Sequence, residues 1–420
     1  MRRGALRAHG VHGDRVLQAH DDDLQRHLSP DTRGVEGGKG LALFPERGEV
    51  PGGDRADLRA VRVRPAQPWR AGSGGADEGD PGRQPPRLSR LRAGAGHRPP
   101  ALARRWPVSL AQSLAAAALQ AAALLALAPL LRSAIKKMKA AFQSRQGPPL
   151  LQGYYDLAKL LRKEPVRSET ASWVFVAGPR VYFATAVAAT TLVPVLFAGA
   201  PLEQAGGILV FVGLLALGRF ALATASLDTG SPFGGMGSSR EMTVAALAEP
   251  ALMLGLFAVA LWGGSLNLGD LVRATISRGI SGHPSELLAA AALFIVLIAE
   301  AGRVPVDNPA THLELTMIHE AMVLEYAGPD LALVEWASAL KELLFMTVLA
   351  NLFLPLGLAV SVSPIAVGLA VALYAGKVFL LAVAVTVVEA TNAKLRFFRV
   401  PELMAVSLGL GFLALALRFL

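Results

Sequence analysis

From Val108 to the C-terminus, apolar residues gather in runs close to the ~20 residues that cross ~30 Å of hydrocarbon. Eight runs follow one another: Val108–Leu131, Trp173–Ala198, Gly206–Ser226, Met242–Gly263, Leu287–Ala301, Leu331–Leu356, Pro364–Val388 and Leu403–Phe419. Short polar loops separate them. The pattern predicts an all-α integral membrane domain over residues 108–420, with about eight transmembrane helices. The fifth run is short and the sixth opens with charges, so their ends are the least sharply marked.

Residues 1–107 are of another kind. They are rich in Arg, Gly, Pro, Asp and Ala, with no sustained apolar period, so no packed core is expected there. They hold 20 basic and 13 acidic residues, and so supply +7 of the chain's net charge of +9. Only Phe44, Trp69 and Trp106 are aromatic there, and no folded basic motif is present, which argues against nucleic-acid binding. No apolar h-region of a signal peptide follows the first arginines. The segment reads as a disordered lead, translated from a start codon set upstream of the true one.

Loop charges orient the membrane domain. The first loop carries Arg132, Lys136, Lys137, Lys139, Arg145, Arg162, Lys163 and Arg167, and the seventh Lys394, Arg396 and Arg399. Loops after the second and sixth runs have no basic residue, so the odd-numbered loops are expected to face the cytoplasm. Arg273 and Arg278, after the fourth run, give a mild opposing signal.

Ionisable residues inside spans are costly and turn toward a cavity or a partner. Counting at 1.5 Å per residue puts Arg180, Arg219 and Glu249 each ~10 Å inside from the cytoplasmic face. Glu300 and Glu389 mark cytoplasmic helix ends, and Lys341, Glu342 and Lys377 reach further in. All approach from one side, which predicts a polar cavity open to the cytoplasm. The loop AEAGRVPVDNPATHLELTMIHE, Ala299–Glu320, would form its rim. From about Ala310 a helix is plausible there, with His312, Thr316, His319 and Glu320 on one face.

Other chemistries find little support. His312 and His319 lack the spacing that places two imidazoles on one helical turn, so no metal site is expected. FGGMGSSR at Phe233–Arg240 follows a membrane helix rather than a strand, unlike a phosphate loop, and GxSxG is absent. With no cysteine, the chain cannot ligate an iron–sulfur cluster through thiolates.

The rim loop carries a resemblance. AEAGRVPVDNPATHLEL is similar to a loop of subunit 1 of respiratory complex I, matching at Glu300, Arg303, Pro305, Asp307, Glu314 and Leu315. RQGPPLLQGYYDLAKLLRKEP resembles the same family at Arg145, Gly147, Pro148, Gln152, Asp156, Lys159, Lys163 and Glu164. Ala310 and His312 stand where complex I has further glutamates, and the Glu325–Tyr326 pair is shifted. THLELTMIHEAMVLEYAGPDLAL, LDTGSPFGGMGSSRE and AKLRFFRVPEL instead resemble the homologous membrane subunit of group 4 [NiFe] hydrogenases, the formate hydrogenlyase and hydrogenase-4 type.

The resemblance implies a non-redox subunit of an oxidoreductase complex in the cytoplasmic membrane, lying between the soluble redox arm and an antiporter-like membrane subunit. The NiFe centre and iron–sulfur clusters would sit in the hydrogenase large and small subunits and an iron–sulfur protein. Glu249, Glu300, Asp307, Glu314 and Glu320 are then expected to open an ion path, with Asp228, Lys377 and Glu389 behind them. Arg145, Asp156, Lys159, Lys163, Glu164, Arg240, Arg303, Arg396 and Arg399 are expected to dock the soluble arm. A purely structural anchor and a quinone-reactive subunit are the alternatives.

Overall fold

The computed structural model describes residues 110–419 apart from 204–205, 280–281, 309–316 and 360–362, and for Leu110 the backbone only. The chain divides into units Met1–Leu88 and Ser89–Leu420. The expectations for residues 1–107, for a helix starting near Ala310, and for His312 and Glu314 lie outside the described residues.

The described residues are helical: α1 Leu110–Phe142, α2 Gln152–Leu161, α3 Trp173–Thr190, α4 Ile208–Asp228, α5 Pro232–Gly263, α6 Leu268–Arg278, α7 Pro284–Glu300, α8 His319–Val323, α9 Gly328–Phe353, α10 Pro364–Thr391 and α11 Val400–Ala416. A 3-10 turn, Phe397–Arg399, leads into α11. Among these residues the isolated bridge Phe197–Ala359 is the one β feature.

All eight apolar runs are helices, α1, α3, α4, α5, α7, α9, α10 and α11. Five are long and apolar enough to cross a membrane: α1, α4, α5, α10, and α11 with its 3-10 turn. The other three fall short in length or apolarity. Helix α7 has 17 residues, α3 carries Arg180, and α9 carries Asp330, Glu335, Lys341 and Glu342.

Proline opens most of the later helices. Residues 232, 284, 329, 364 and 401 stand in the first turns of α5, α7, α9, α10 and α11. There its missing N–H deprives no helical carbonyl of a donor. Inside a helix, proline instead frees the carbonyl four residues earlier. Pro129 frees Leu125 O of α1, which accepts from Trp336 Nε1 at 2.9 Å, while Tyr154 Oη donates to the neighbouring Ala126 O. Pro179 frees Phe175 O of α3, which accepts from Tyr326 Oη at 3.2 Å. Tyr326 also stacks on Phe175, centroids 4.2 Å apart. Aromatic groups from elsewhere thus satisfy both freed carbonyls.

Helix α9 is the centre of the packing, since every residue from Ala337 to Leu352 is buried. Helices α3 and α4 pack closely where a glycine of each meets a side chain of the other. A Cβ on Gly178 would come 2.4 Å from Ala225 Cβ, and one on Gly218 would come 2.5 Å from Thr185 Oγ1.

Several elements differ from the sequence reading. Helix α1 runs past Leu131 to Phe142, taking in Arg132, Lys136, Lys137 and Lys139 of the expected first loop. Helix α2 forms within that loop, and α3 ends at Thr190 rather than Ala198. Helix α5 begins at Pro232, ten residues before the expected Met242, so FGGMGSSR is helical. Its small residues admit close neighbours: a Cβ on Gly237 would lie 2.9 Å from Ala321 Cβ of α8. Helix α6 was not expected. Its buried Leu268, Leu271, Val272 and Thr275 share one face. Arg273 pairs with Glu203 at 3.0 Å and Asp270 at 2.5 Å. Arg278 lies 4.5 Å over the Trp262 ring. The arginines of the opposing loop signal are therefore not free charges.

Candidate functional site

Where the C-terminal ends of α7 and α10 meet the N-terminal half of α9, buried charges form two linked centres. Arg219 of α4 holds the first. Its guanidinium bonds Glu249 of α5 and Glu300 of α7, and its Nε lies 3.4 Å from Glu241 of α5. Glu300 also pairs with Lys341 of α9 at 3.3 Å. One arginine thus gathers carboxylates from two helices beyond its own, and the centre holds three acids against two bases.

Arg303, just past α7, holds the second. It grips Glu342 of α9 with two bonds, Nη2–Oε2 2.8 Å and Nε–Oε1 3.1 Å, and reaches Glu389 of α10 at 3.4 Å. Lys139 of α1 lies 3.4 Å from the other oxygen of Glu389. Arg132 of α1 bonds Glu335, donates to Ser338 Oγ at 2.8 Å, and stands 3.9 Å from Glu342. Such burial is tolerable because each charge is paired with an opposite one, although Arg219 Nε and Glu389 Oε2 are left without a hydrogen bond. Burial alone would lower the Arg303 pKa, but Glu342 and Glu389 raise it overall, so Arg303 is a fixed cation.

A small pocket lies against both centres, lined by Glu241, Glu300, Asp307, His319 and Ser338 among others, with room for about one water molecule. Glu320 of α8 stands nearby. Burial is the main cause lifting its pKa above the usual carboxylate range; Glu335 and Asp307 add to the rise, and His319 and Arg132 oppose it. Its surroundings therefore favour the protonated form.

The predicted residues divide by environment. Glu249, Glu300 and Glu389 belong to the two centres and Glu320 borders them. Asp307 is committed elsewhere: it accepts from the N–H groups of Asn308, Ile318 and His319 at 2.8, 3.2 and 3.1 Å, and pairs with Lys394 at 2.7 Å. It fastens the segment leading into α8. Asp228 is likewise a fastener, bonded to Ser172 N and Oγ and to Phe175 N at the start of α3. Lys377 is on neither centre. Its Nζ bonds Asn351 Oδ1 at 2.6 Å and Leu354 O at 3.2 Å, at the opposite end of α9, so the polar groups do not all approach from one side.

Of the expected docking residues, Arg145, Asp156, Lys159, Lys163, Glu164, Arg396 and Arg399 are exposed. Arg303 is not: it is 4% exposed, and both its neighbours are carboxylates of its own chain. Arg240 is half-buried, donating to Met317 O at 2.7 Å and lying 5.9 Å from the Phe397 ring centroid. Glu241, Glu335, Arg132 and Lys139 were missed as members of the centres. A helical count along α9 brings Glu335, Ser338 and Glu342 onto one face, and that signal was available.

Comparison with known proteins places this arrangement. Formate hydrogenlyase subunit 4 of Escherichia coli (strain K12) is 31% identical over 296 residues, spanning 70% of this chain and 95% of its own. Hydrogenase-4 component C of the same organism is 33% identical over 297 residues, spanning 70% and 92%. An NADH-quinone oxidoreductase subunit of Geobacter metallireducens is 31% identical over 243 residues, spanning 53% and 71%. Among solved structures, a chain of the membrane-bound sulfane sulfur reductase, an archaeal respiratory membrane complex, shares the fold with TM-score 0.62 and 20% identity over 72% of this chain and 99% of its own. The NADH dehydrogenase family model matches residues 114–418. The chain therefore belongs to the NADH dehydrogenase family of membrane subunits, the complex I subunit 1 type.

Proposed function

We propose that this chain is the membrane-anchoring and ion-coupling subunit of an energy-converting [NiFe] hydrogenase of the formate hydrogenlyase and hydrogenase-4 type. The observation that carries the proposal is the Arg219 centre, where Glu241, Glu249 and Glu300 from two further helices converge on one buried guanidinium. Sequence matches to formate hydrogenlyase subunit 4 and hydrogenase-4 component C support the branch.

In this reading all eight apolar helices span the cytoplasmic membrane and the charged end faces the cytoplasm. The hydrogenase large and small subunits and an iron–sulfur protein hold the NiFe centre and clusters, and dock on the exposed Arg145–Glu164 and Arg396–Arg399 segments. An antiporter-like membrane subunit receives the ion. The chain itself performs no redox step. Its acids exchange protons as a movement of the docked arm alters their spacing, each pKa unit of change corresponding to 1.36 kcal/mol.

Affinity purification of the tagged chain from its native membranes tests this. The expected result is co-purification of a nickel-containing subunit and hydrogen evolution from reduced methyl viologen. A complex that lacks nickel and reduces quinone instead would overturn it in favour of the quinone-reactive reading.

A further inference from the structure

Four cations are buried among the described residues: Arg219, Arg303, Lys341 and Lys377. The first three are paired with carboxylates. Lys377 is not; its acceptors are the Asn351 amide oxygen and the Leu354 carbonyl, both neutral. No acidic side chain of α9, α10 or the segment after α3 lies within ion-pair distance of it among the described residues. A buried ammonium held only by dipoles gives up its proton far more readily than one held by a carboxylate.

Its location is distinctive. Asn351, which receives the ammonium, donates its own amide N–H groups to Pro194 O at 2.8 Å and Val195 O at 3.1 Å. Those carbonyls follow the C-terminal end of α3, and Leu354 follows that of α9. Lys377 Nζ therefore sits at the end of the bundle opposite the Arg219 and Arg303 centres. Between them on α9, one turn before Asn351, Thr347 Oγ1 lies 2.7 Å from Tyr374 Oη and donates to Leu343 O at 2.7 Å, so Tyr374 is the donor of the hydroxyl pair. Thr347 and Asn351 are buried, and Tyr374, three residues before Lys377, lies on the same face of α10.

We propose that Lys377 is a second proton-exchange site, serving the half of the bundle opposite the charged end; this rests on the function proposed above. The Nζ ammonium gives one proton to water at that end and becomes a neutral amine. It is restored through the hydroxyl pair once both turn, Thr347 from Leu343 O to Tyr374 Oη and Tyr374 to the amine. Tyr374 then passes its proton to the amine while accepting one from Thr347, which is resupplied from the charged end. Each group ends with the protons it began with, and one proton has crossed.

Lys377→Arg separates this role from that of a cation capping the C-terminal end of α9. Arginine keeps the charge but does not deprotonate in proteins. Inverted vesicles holding the whole complex, driven by reduced methyl viologen, give the ratio of protons taken up to hydrogen evolved. That ratio is expected to fall severalfold in Lys377→Arg, since the arginine does not release its proton. Tyr374→Phe, which keeps the ring, is expected to lower it too and serves if the arginine variant does not assemble. An unchanged ratio in either variant, with instability only in Lys377→Met, overturns the proposal and leaves Lys377 a cap. A wild-type complex that moves no ion overturns the function proposed above together with this inference. Pumping wild type beside an equally pumping Lys377→Arg overturns this inference alone.

Discussion

Replacing Arg303 by alanine decides whether this residue secures the fold of its own chain or grips a soluble partner. Its side chain is 5% exposed and bonds Glu342 and Glu389, themselves 1% and 0% exposed. Removing it strands those two carboxylates, for which the remaining cations are poorer partners: Arg132 is 3.9 Å from Glu342 and Lys139 3.4 Å from Glu389. Leaving one side of a buried pair uncompensated costs about 3–5 kcal/mol. For a domain of this size, that corresponds to a fall in Tm of at least about 5 °C. Arg303→Lys keeps the charge but not the two-pronged grip on Glu342, and should recover only part of the loss. The assay is thermal unfolding of the isolated membrane subunit in detergent, beside retention of the soluble arm on the intact complex. An Arg303→Ala subunit with unchanged Tm that nevertheless loses its soluble arm would refute the internal role and restore the docking one.

Further outcomes follow from the same geometry. Glu320, its pKa raised mainly by burial, binds a proton more tightly folded than unfolded, so its contribution to stability declines as pH rises from the unfolded value of about 4.3 toward its raised one. Glu320→Gln should flatten that decline and raise Tm at pH 7 but not at pH 4; equal effects at both would contradict the assignment. Tyr326→Phe removes the donor to the carbonyl freed by Pro179 and should cost about 1–3 kcal/mol, the penalty for an unsatisfied buried acceptor, seen in thermal unfolding. Gly218→Val forces a branched side chain against Thr185 and should prevent α3 and α4 from closing, read as loss of the subunit from purified membranes.

The helices were legible because an apolar run of membrane length needs no tertiary partner to be recognised. Glu300 and Glu389 were legible for the same reason, as charges at the ends of such runs. Their partners were not: Arg219 and Glu300 are 81 positions apart, and nothing in a single sequence pairs them. Charge counting also cannot show which carboxylates fasten backbone N–H groups, as Asp228 and Asp307 do. Lys377 was expected to reach further in than the helix-end acids, and side chains on a helix lean toward its N-terminus. In α10 that direction carries the long lysine stem away from Glu389 toward Leu354. Helix α6 was readable from the spacing of Leu268, Leu271, Val272 and Thr275, but its arginines drew the reading toward loop charge instead.

The central claim is that the carboxylates around Arg219 link ion movement to hydrogen turnover. Glu249 is the test residue, since its side chain is 35% exposed and its loss leaves Arg219 still held by Glu241 and Glu300. Inverted vesicles containing the Glu249→Gln complex are to be measured for hydrogen evolution and ion uptake together, with and without an ionophore. The account predicts assembled complex whose hydrogen evolution no longer responds to the ion gradient and moves few or no ions. Ion uptake per hydrogen equal to that of the wild type would contradict it and leave the cluster a structural anchor.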